Sequence, residues 1–256
     1  NLIGVTGPCA IFASWDRAAI LGCSINNNGG GEHGCRTQYT NRQVFSNNTV
    51  SGIAATKANM SIRGVVFGGD FTMPAGSYSE KNIISDNLFE GGVSGGVIGI
   101  GPQNGSYAER GRNMIVERNL FTGSTNTVNA MTCAQTDITY RNNVFLMQAG
   151  LVLKIERSAS VPYPTNIGFY GNTVYSSQSS QFIVINQAVN PADWGDVDPG
   201  DVLVTSRNNL AYAPSASGIS TMWDDIYSGG TLTSSNNTSD SQLRLTSPNF
   251  TTTPPT

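Results

Sequence analysis

The sequence predicts an all-β chain wound as a right-handed parallel β-helix solenoid with an asparagine ladder, and three observations carry that prediction. A motif centred on asparagine comes round seven times, apolar-alternating runs accompany each copy, and charge is sparse while Gly, Ser, Thr and Asn abound. One copy reads Arg141-Asn142-Asn143-Val144-Phe145, another Ser85-Asp86-Asn87-Leu88-Phe89. The shared position is Asn48, Asn87, Asn119, Asn143, Asn172, Asn209 and Asn237, and subtraction gives gaps of 39, 32, 24, 29, 37 and 28 residues. A unit of 24 residues lengthened by variable insertions is the signature of a repeat architecture.

Each unit carries two short runs. Before the asparagine stand stretches such as Ile83-Ile84, Met114-Ile115-Val116 and Ile138-Thr139-Tyr140. A second run follows, as in Met60-Ser61-Ile62, Val97-Ile98-Gly99-Ile100, Leu151-Val152-Leu153-Lys154-Ile155 and Phe182-Ile183-Val184-Ile185. Short alternating runs read as strands, so two strands per unit are expected, with no helical pattern between them. A strand rises about 3.3 Å per residue and stacked strands lie about 4.8 Å apart, so a coil of roughly two dozen residues can wind once and rest on its predecessor. The asparagines then stack at one bend, where their carboxamides satisfy backbone groups that the bend leaves unpaired.

Composition agrees. Charged residues are 12% of the 256, there are 29 glycines, and the apolar content of 38% suffices for a narrow core. The repeat runs from end to end and argues for one domain over residues 1–256, with an extended tail from about 240 that contains Thr251-Thr252-Thr253-Pro254-Pro255. Net charge is −3 and no Lys/Arg cluster is dense enough for nucleic acid. No apolar run approaches a membrane span. The chain opens without Met at Asn1-Leu2-Ile3-Gly4, which points to a processed protein or to a segment whose upstream part is missing, and either fits an extracellular product.

Four cysteines occur. Cys9 with Cys35 is one plausible bridge and Cys23 with Cys35 another, while Cys133 reads as a buried thiol. The Asn-x-Ser/Thr triplets at Asn47 and Asn59 read as by-products of the repeat rather than as glycan sites.

Candidate chemistry follows from strand alternation, which sends successive side chains to opposite faces. With Cys35, Ile62, Ile100, Cys133 and Ile155 pointing in, Arg36, Arg63, Lys154 and Glu156 point out of one sheet. Between them lie small residues, Gly99 and Gly101, then Ala130 and Thr132. This is a shallow floor with cations at both ends, suited to an extended acidic polysaccharide whose carboxylates or sulfates pair with guanidinium and ammonium groups. On a uronate, neutralising the carboxylate acidifies the C5 proton; a base removes it and the C4 oxygen leaves, which is β-elimination. The candidates are Arg36 and Arg63 as neutralisers, Lys57 or His33 as base and Tyr107 as acid, with Lys154, Glu156 and Arg157 forming a second subsite. His33 is the only histidine. A loop carrying Asp193, Asp196, Asp198 and Asp201 resembles an oxygen-rich Ca2+ site, with a solvated acidic loop as the plainer alternative.

Over nearly its whole length the repeat resembles the right-handed parallel β-helix superfamily of pectate lyases, chondroitinase B-type and alginate lyases, polygalacturonases and phage tailspikes. Glu32-His33-Gly34-Cys35-Arg36, followed one coil on by Lys57 and Arg63, is similar in kind to the Lys and Arg pair on neighbouring coils of chondroitinase B-type lyases. The polygalacturonase pattern is incomplete: His33-Gly34 echoes its histidine motif, but Asp224-Asp225 lies far downstream of the adjoining coil. The resemblance implies a secreted lyase acting on a uronate polymer or, alternatively, a non-catalytic glycan-binding or virion β-helix. The latter would be a trimer if tailspike-like.

Overall fold

The computed structural model describes residues 9–26, 33–52, 58–63, 79–90, 98–100, 111–122, 131–133, 136–147, 153–156, 166–176, 183–186, 202–212, 223–224, 230–235 and 238–239. Within them the strands pair in parallel and fall into three sheets, so that each coil adds one strand to each sheet. The first sheet stacks Ile11–Ala13, Cys35–Gln38, Met60–Arg63, Ile98–Ile100, Met131–Cys133, Leu153–Glu156, Ile183–Asn186 and Trp223–Asp224. The second stacks Ala19–Leu21, Val44–Ser46, Ile83–Ser85, Gly111–Glu117, Thr136–Arg141, Ile167–Tyr170, Val202–Arg207 and Gly230–Ser235, with the short Ser79–Glu80 beside Gly111–Glu117. The third stacks Ser24–Asn26, Thr49–Ser51, Leu88–Glu90, Leu120–Thr122, Val144–Met147, Thr173–Ser176, Leu210–Tyr212 and Thr238–Ser239. The chain is therefore an all-β parallel β-helix.

Each coil thus has three strands, where the apolar runs had suggested two. The additional one follows the asparagine directly, and in most coils it is three residues long with one inward side chain. Such a strand cannot display alternation on its own. In Val44-Phe45-Ser46, Asn47-Asn48, Thr49-Val50-Ser51 only Phe45, Asn48 and Val50 are buried. The bend between is made by a residue with positive φ ahead of the inward one: Gly22 at 62°, Asn47 at 56°, Asp86 at 58°, Arg118 at 53°, Asn142 at 54°, Gly171 at 60° and Asn208 at 56°. Asn, Asp and Gly tolerate this left-handed region best. A second positive-φ column has Arg17, Arg42, Lys81 and Asn166 just ahead of second-sheet strands and Asn113 and Asp137 near the start of two of them.

The asparagines meet in single file. Asn48 Nδ2 donates to Asn87 Oδ1, Asn87 to Asn119, Asn119 to Asn143, Asn143 to Asn172 and Asn172 to Asn209, at 2.9–3.1 Å. The same oxygens accept the backbone N–H of the preceding asparagine, as Asn143 Oδ1 does from Asn119 at 3.0 Å. The second Nδ2 hydrogen goes to the carbonyl of the buried second-sheet residue one coil earlier, for example from Asn143 to Val116 at 2.9 Å. Cys23 takes the first place in the file and gives its N–H to Asn48 Oδ1. Asn237 lies outside the described residues, as does the tail.

Inside, the second sheet contributes Ile20, Phe45, Ile84, Val116, Tyr140 and Phe169, and the third contributes Ile25, Val50, Phe89, Phe121, Phe145 and Val174. Where one sheet offers Phe the other generally offers Val or Ile, so the narrow core keeps a nearly constant volume at close packing. Tyr140 with Phe145 is the exception. The rings stack from coil to coil, with centroids 6.3 Å apart for Phe45–Phe89, 5.2 Å for Phe89–Phe121, 4.6 Å for Phe121–Phe145 and 6.1 Å for Phe145–Phe169. Asn59 closes the corner between third and first sheets: it is buried, and its Nδ2 donates to the carbonyls of Val50 and Glu90. Neither cysteine bridge forms. Cys9, Cys23 and Cys35 are in no disulfide, and burial pushes the Cys35 thiol far above its usual range.

Candidate functional site

Register aligns one column of residues along the first sheet, in which Ser61, at 1% exposure, is as buried as the neighbouring Ile62. Phe12 pairs with Arg36, Arg36 with Ser61, Ser61 with Gly99, Gly99 with Thr132, Thr132 with Lys154, and Lys154 with Val184. Arg36 and Lys154 therefore share one column, separated by Ser61, Gly99 and Thr132, over four strand spacings or about 19 Å. Arg63 pairs with Gln38 one step to the side, and Glu156, two residues beyond Lys154, pairs with Asn186. The inward partner of Ile62 is Thr37 rather than Cys35, a shift of two residues that leaves the two faces unchanged.

Two candidates have described surroundings that differ from a simple open floor. Arg36 is only 7% exposed although it sits between the inward Cys35 and Thr37, and its guanidinium carbon lies 5.8 Å from the Phe12 ring centroid. An aromatic face at that distance stabilises the cation. His33 is wholly buried, and its Nδ1 lies 3.0 Å from the Ala58 amide nitrogen and 3.3 Å from the Ala58 carbonyl oxygen. The imidazole ties the second coil to the third. Lys57, Tyr107 and Arg157 lie outside the described residues, as do Asp193, Asp196, Asp198 and Asp201. Among the described residues no group of His, Cys, Asp and Glu is arranged to hold a metal ion.

Charge gathers elsewhere, along the two bends flanking the second sheet. Arg118 grips Asp86 with Nε–Oδ1 at 2.7 Å and Nη2–Oδ2 at 2.9 Å, and also reaches Glu117 Oε1 at 2.6 Å. Glu117 in turn accepts from Arg141 Nε at 2.6 Å. Across the sheet, Arg42 pairs with Asp16 at 2.6 Å and Arg112 with Glu80 at 2.7 Å. The hydrogen bonds from Arg118, Arg112 and Arg42 hold the Asp86, Glu80 and Asp16 carboxyls below the usual carboxylate range. No local motif announces the pairs Arg118–Asp86, Arg141–Glu117, Arg42–Asp16 and Arg112–Glu80, because each joins residues on successive coils; only Arg118–Glu117 is local.

A parallel β-helix with a stacked asparagine file is the class that the fold defines. No family model matches the chain, and comparison with characterised proteins finds no relative.

Proposed function

We propose that this chain is a secreted carbohydrate-active β-helix of the pectin-lyase-like kind that lays an acidic, uronate-containing polysaccharide along the outer face of its first sheet and cleaves it by β-elimination. The observation that carries the reading is the column Arg36, Ser61, Gly99, Thr132, Lys154. The residues between its ends are small, Ser61 being buried, and a cationic residue ends the run on each side. In the reaction, Arg63 neutralises the carboxylate and Lys57, rather than the buried His33, takes the C5 proton. The C5–H electron pair becomes the C4–C5 double bond, the C4–O bond breaks, and Tyr107 returns a proton to the leaving oxygen. Lys154, Glu156 and Arg157 contact the neighbouring sugar. Ca2+ at the Asp193–Asp201 loop would serve the same polyanion.

Burial of Arg36 and His33 favours a second reading: a non-catalytic β-helix that binds glycans or builds a larger particle. Incubation with pectate, alginate and glycosaminoglycans, following ultraviolet absorbance of the unsaturated product, separates the two. A lyase yields product that falls by about 100-fold or more in Lys57→Ala and Arg63→Ala. Retention of polymer without new absorbance, above all by a chain whose solution mass is trimeric, supports the second reading.

A further inference from the structure

The outer face of the second sheet carries a group of side chains that the first-sheet column does not use. Arg141, Tyr170 and Arg207 occupy one register position on three successive coils, although 29 and 37 residues separate them along the chain. Beside them, two residues back in each strand, stand Thr139, Gly168 and Thr205. Tyr170 is half-buried and lies down along its strand: a Cβ built on Gly168 would come within 2.8 Å of Tyr170 Cζ and 2.9 Å of Oη. The glycine is buried beneath the phenol, and the ring presents its side to solvent rather than standing away from the sheet. The Arg207 side chain is exposed and, among the described residues, makes no ion pair or hydrogen bond, while its backbone carbonyl accepts from Gly171 N–H at 3.0 Å. Arg141 is exposed and commits Nε to Glu117, whose charge Arg118 also shares. At the far end of the same strands Asp137 accepts from Asn166 at 2.7 Å.

We propose that Arg141, Tyr170 and Arg207 form a second binding subsite, on the second sheet, for an extended anionic polysaccharide. A sugar ring rests on Tyr170 through its C–H face, carboxylate or sulfate groups on either side meet the two guanidinium groups, and Thr139 and Thr205 offer hydroxyls to the sugar. The two arginines stand two strand spacings apart, about 10 Å, with the aromatic platform between them. A recumbent aromatic ring between two cations fits a polymer that alternates apolar ring faces with anionic substituents. An acidic peptide would use the cations but has no need of the platform. Polymer class rests on the reading above; the location does not.

The test uses the intact chain and measures affinity for polygalacturonate, alginate and hyaluronate, with neutral dextran and poly-glutamate as comparisons, while product absorbance is followed in parallel. Tyr170→Ala and Arg207→Ala should each weaken uronate binding by about tenfold, Tyr170→Phe should retain it, and circular dichroism should match the parent. Gly168→Ala, which displaces the ring without removing it, should weaken binding as well. Unchanged affinity in Tyr170→Ala and Arg207→Ala, equal affinity for poly-glutamate that ignores Tyr170, or no uronate binding by the parent overturns the subsite. Loss of binding in these variants with no cleavage anywhere leaves the subsite standing and removes the lyase reading. Cleavage that continues with unchanged affinity in both variants does the reverse.

Discussion

At the scale of the residue, Asn143 shows why the repeat needs a carboxamide and nothing else. Its Oδ1 accepts from the N–H and Nδ2 of Asn119, while its own Nδ2 hydrogens go to Asn172 Oδ1 and the Val116 carbonyl. Asn143→Ala strands the buried N–H of Asn119 and the carbonyl of Val116, each worth about 1–3 kcal/mol when unsatisfied. A loss of roughly 2–5 kcal/mol is expected, read as a lower midpoint of urea unfolding. Asn143→Asp keeps the acceptor but removes both donors and buries a charge among carboxamides, so it should destabilise at least as much at neutral pH. The neighbour ahead of each asparagine is constrained differently. Gly171, at φ 60°, would bring a Cβ within 2.8 Å of Asn142 Oδ1. Both demands were legible in the sequence because both are local: one position must donate and accept, and the one before it must tolerate a left-handed bend.

At the scale of the element, strands three or four residues long alternate too briefly to announce themselves, so the third-sheet strand was hidden behind the asparagine motif. What the short strands do display is a regular edge. Asp86, Glu80 and Asp16 each pair with an arginine one coil away, and their folded pKa values lie below the unfolded ones. That sign means the stabilisation is complete above the unfolded values, near 4, and drains away as pH falls through the folded ones. The melting temperature should therefore be flat above about pH 5 and fall below about pH 4. Asp86→Asn, which keeps the tolerance for positive φ, should show a shallower acid slope in a thermal scan across that range. High salt should compress the difference, since these pairs are largely exposed.

At the scale of the whole molecule, each coil touches only its neighbours, so stability is close to a sum of coil and interface terms. Phe121 sits mid-stack, with its centroid 5.2 Å from Phe89 and 4.6 Å from Phe145. Phe121→Ala should cost about 3–5 kcal/mol. Amide hydrogen exchange should show lost protection concentrated at Leu88–Glu90, Leu120–Thr122 and Val144–Met147, with Ser24–Asn26 nearly untouched. Uniform loss across all three sheets would mean that the solenoid unfolds as one unit.

The bend chemistry and the alternation within each strand were determined by the sequence alone, because each depends on residues within five or six positions of one another, and so was the winding, because one motif recurs at intervals of 24 to 39 residues. The tertiary structure decided which outward groups meet. Tyr170 and Arg207 become neighbours, Arg118 finds Asp86, and Arg36 and His33 are withdrawn from solvent, only because insertions of unequal length bring the chain back into register one strand spacing away. No local pattern encodes that return: loop lengths vary from coil to coil, while the parallel hydrogen bonds, the asparagine file and the stacked rings fix where each strand must land.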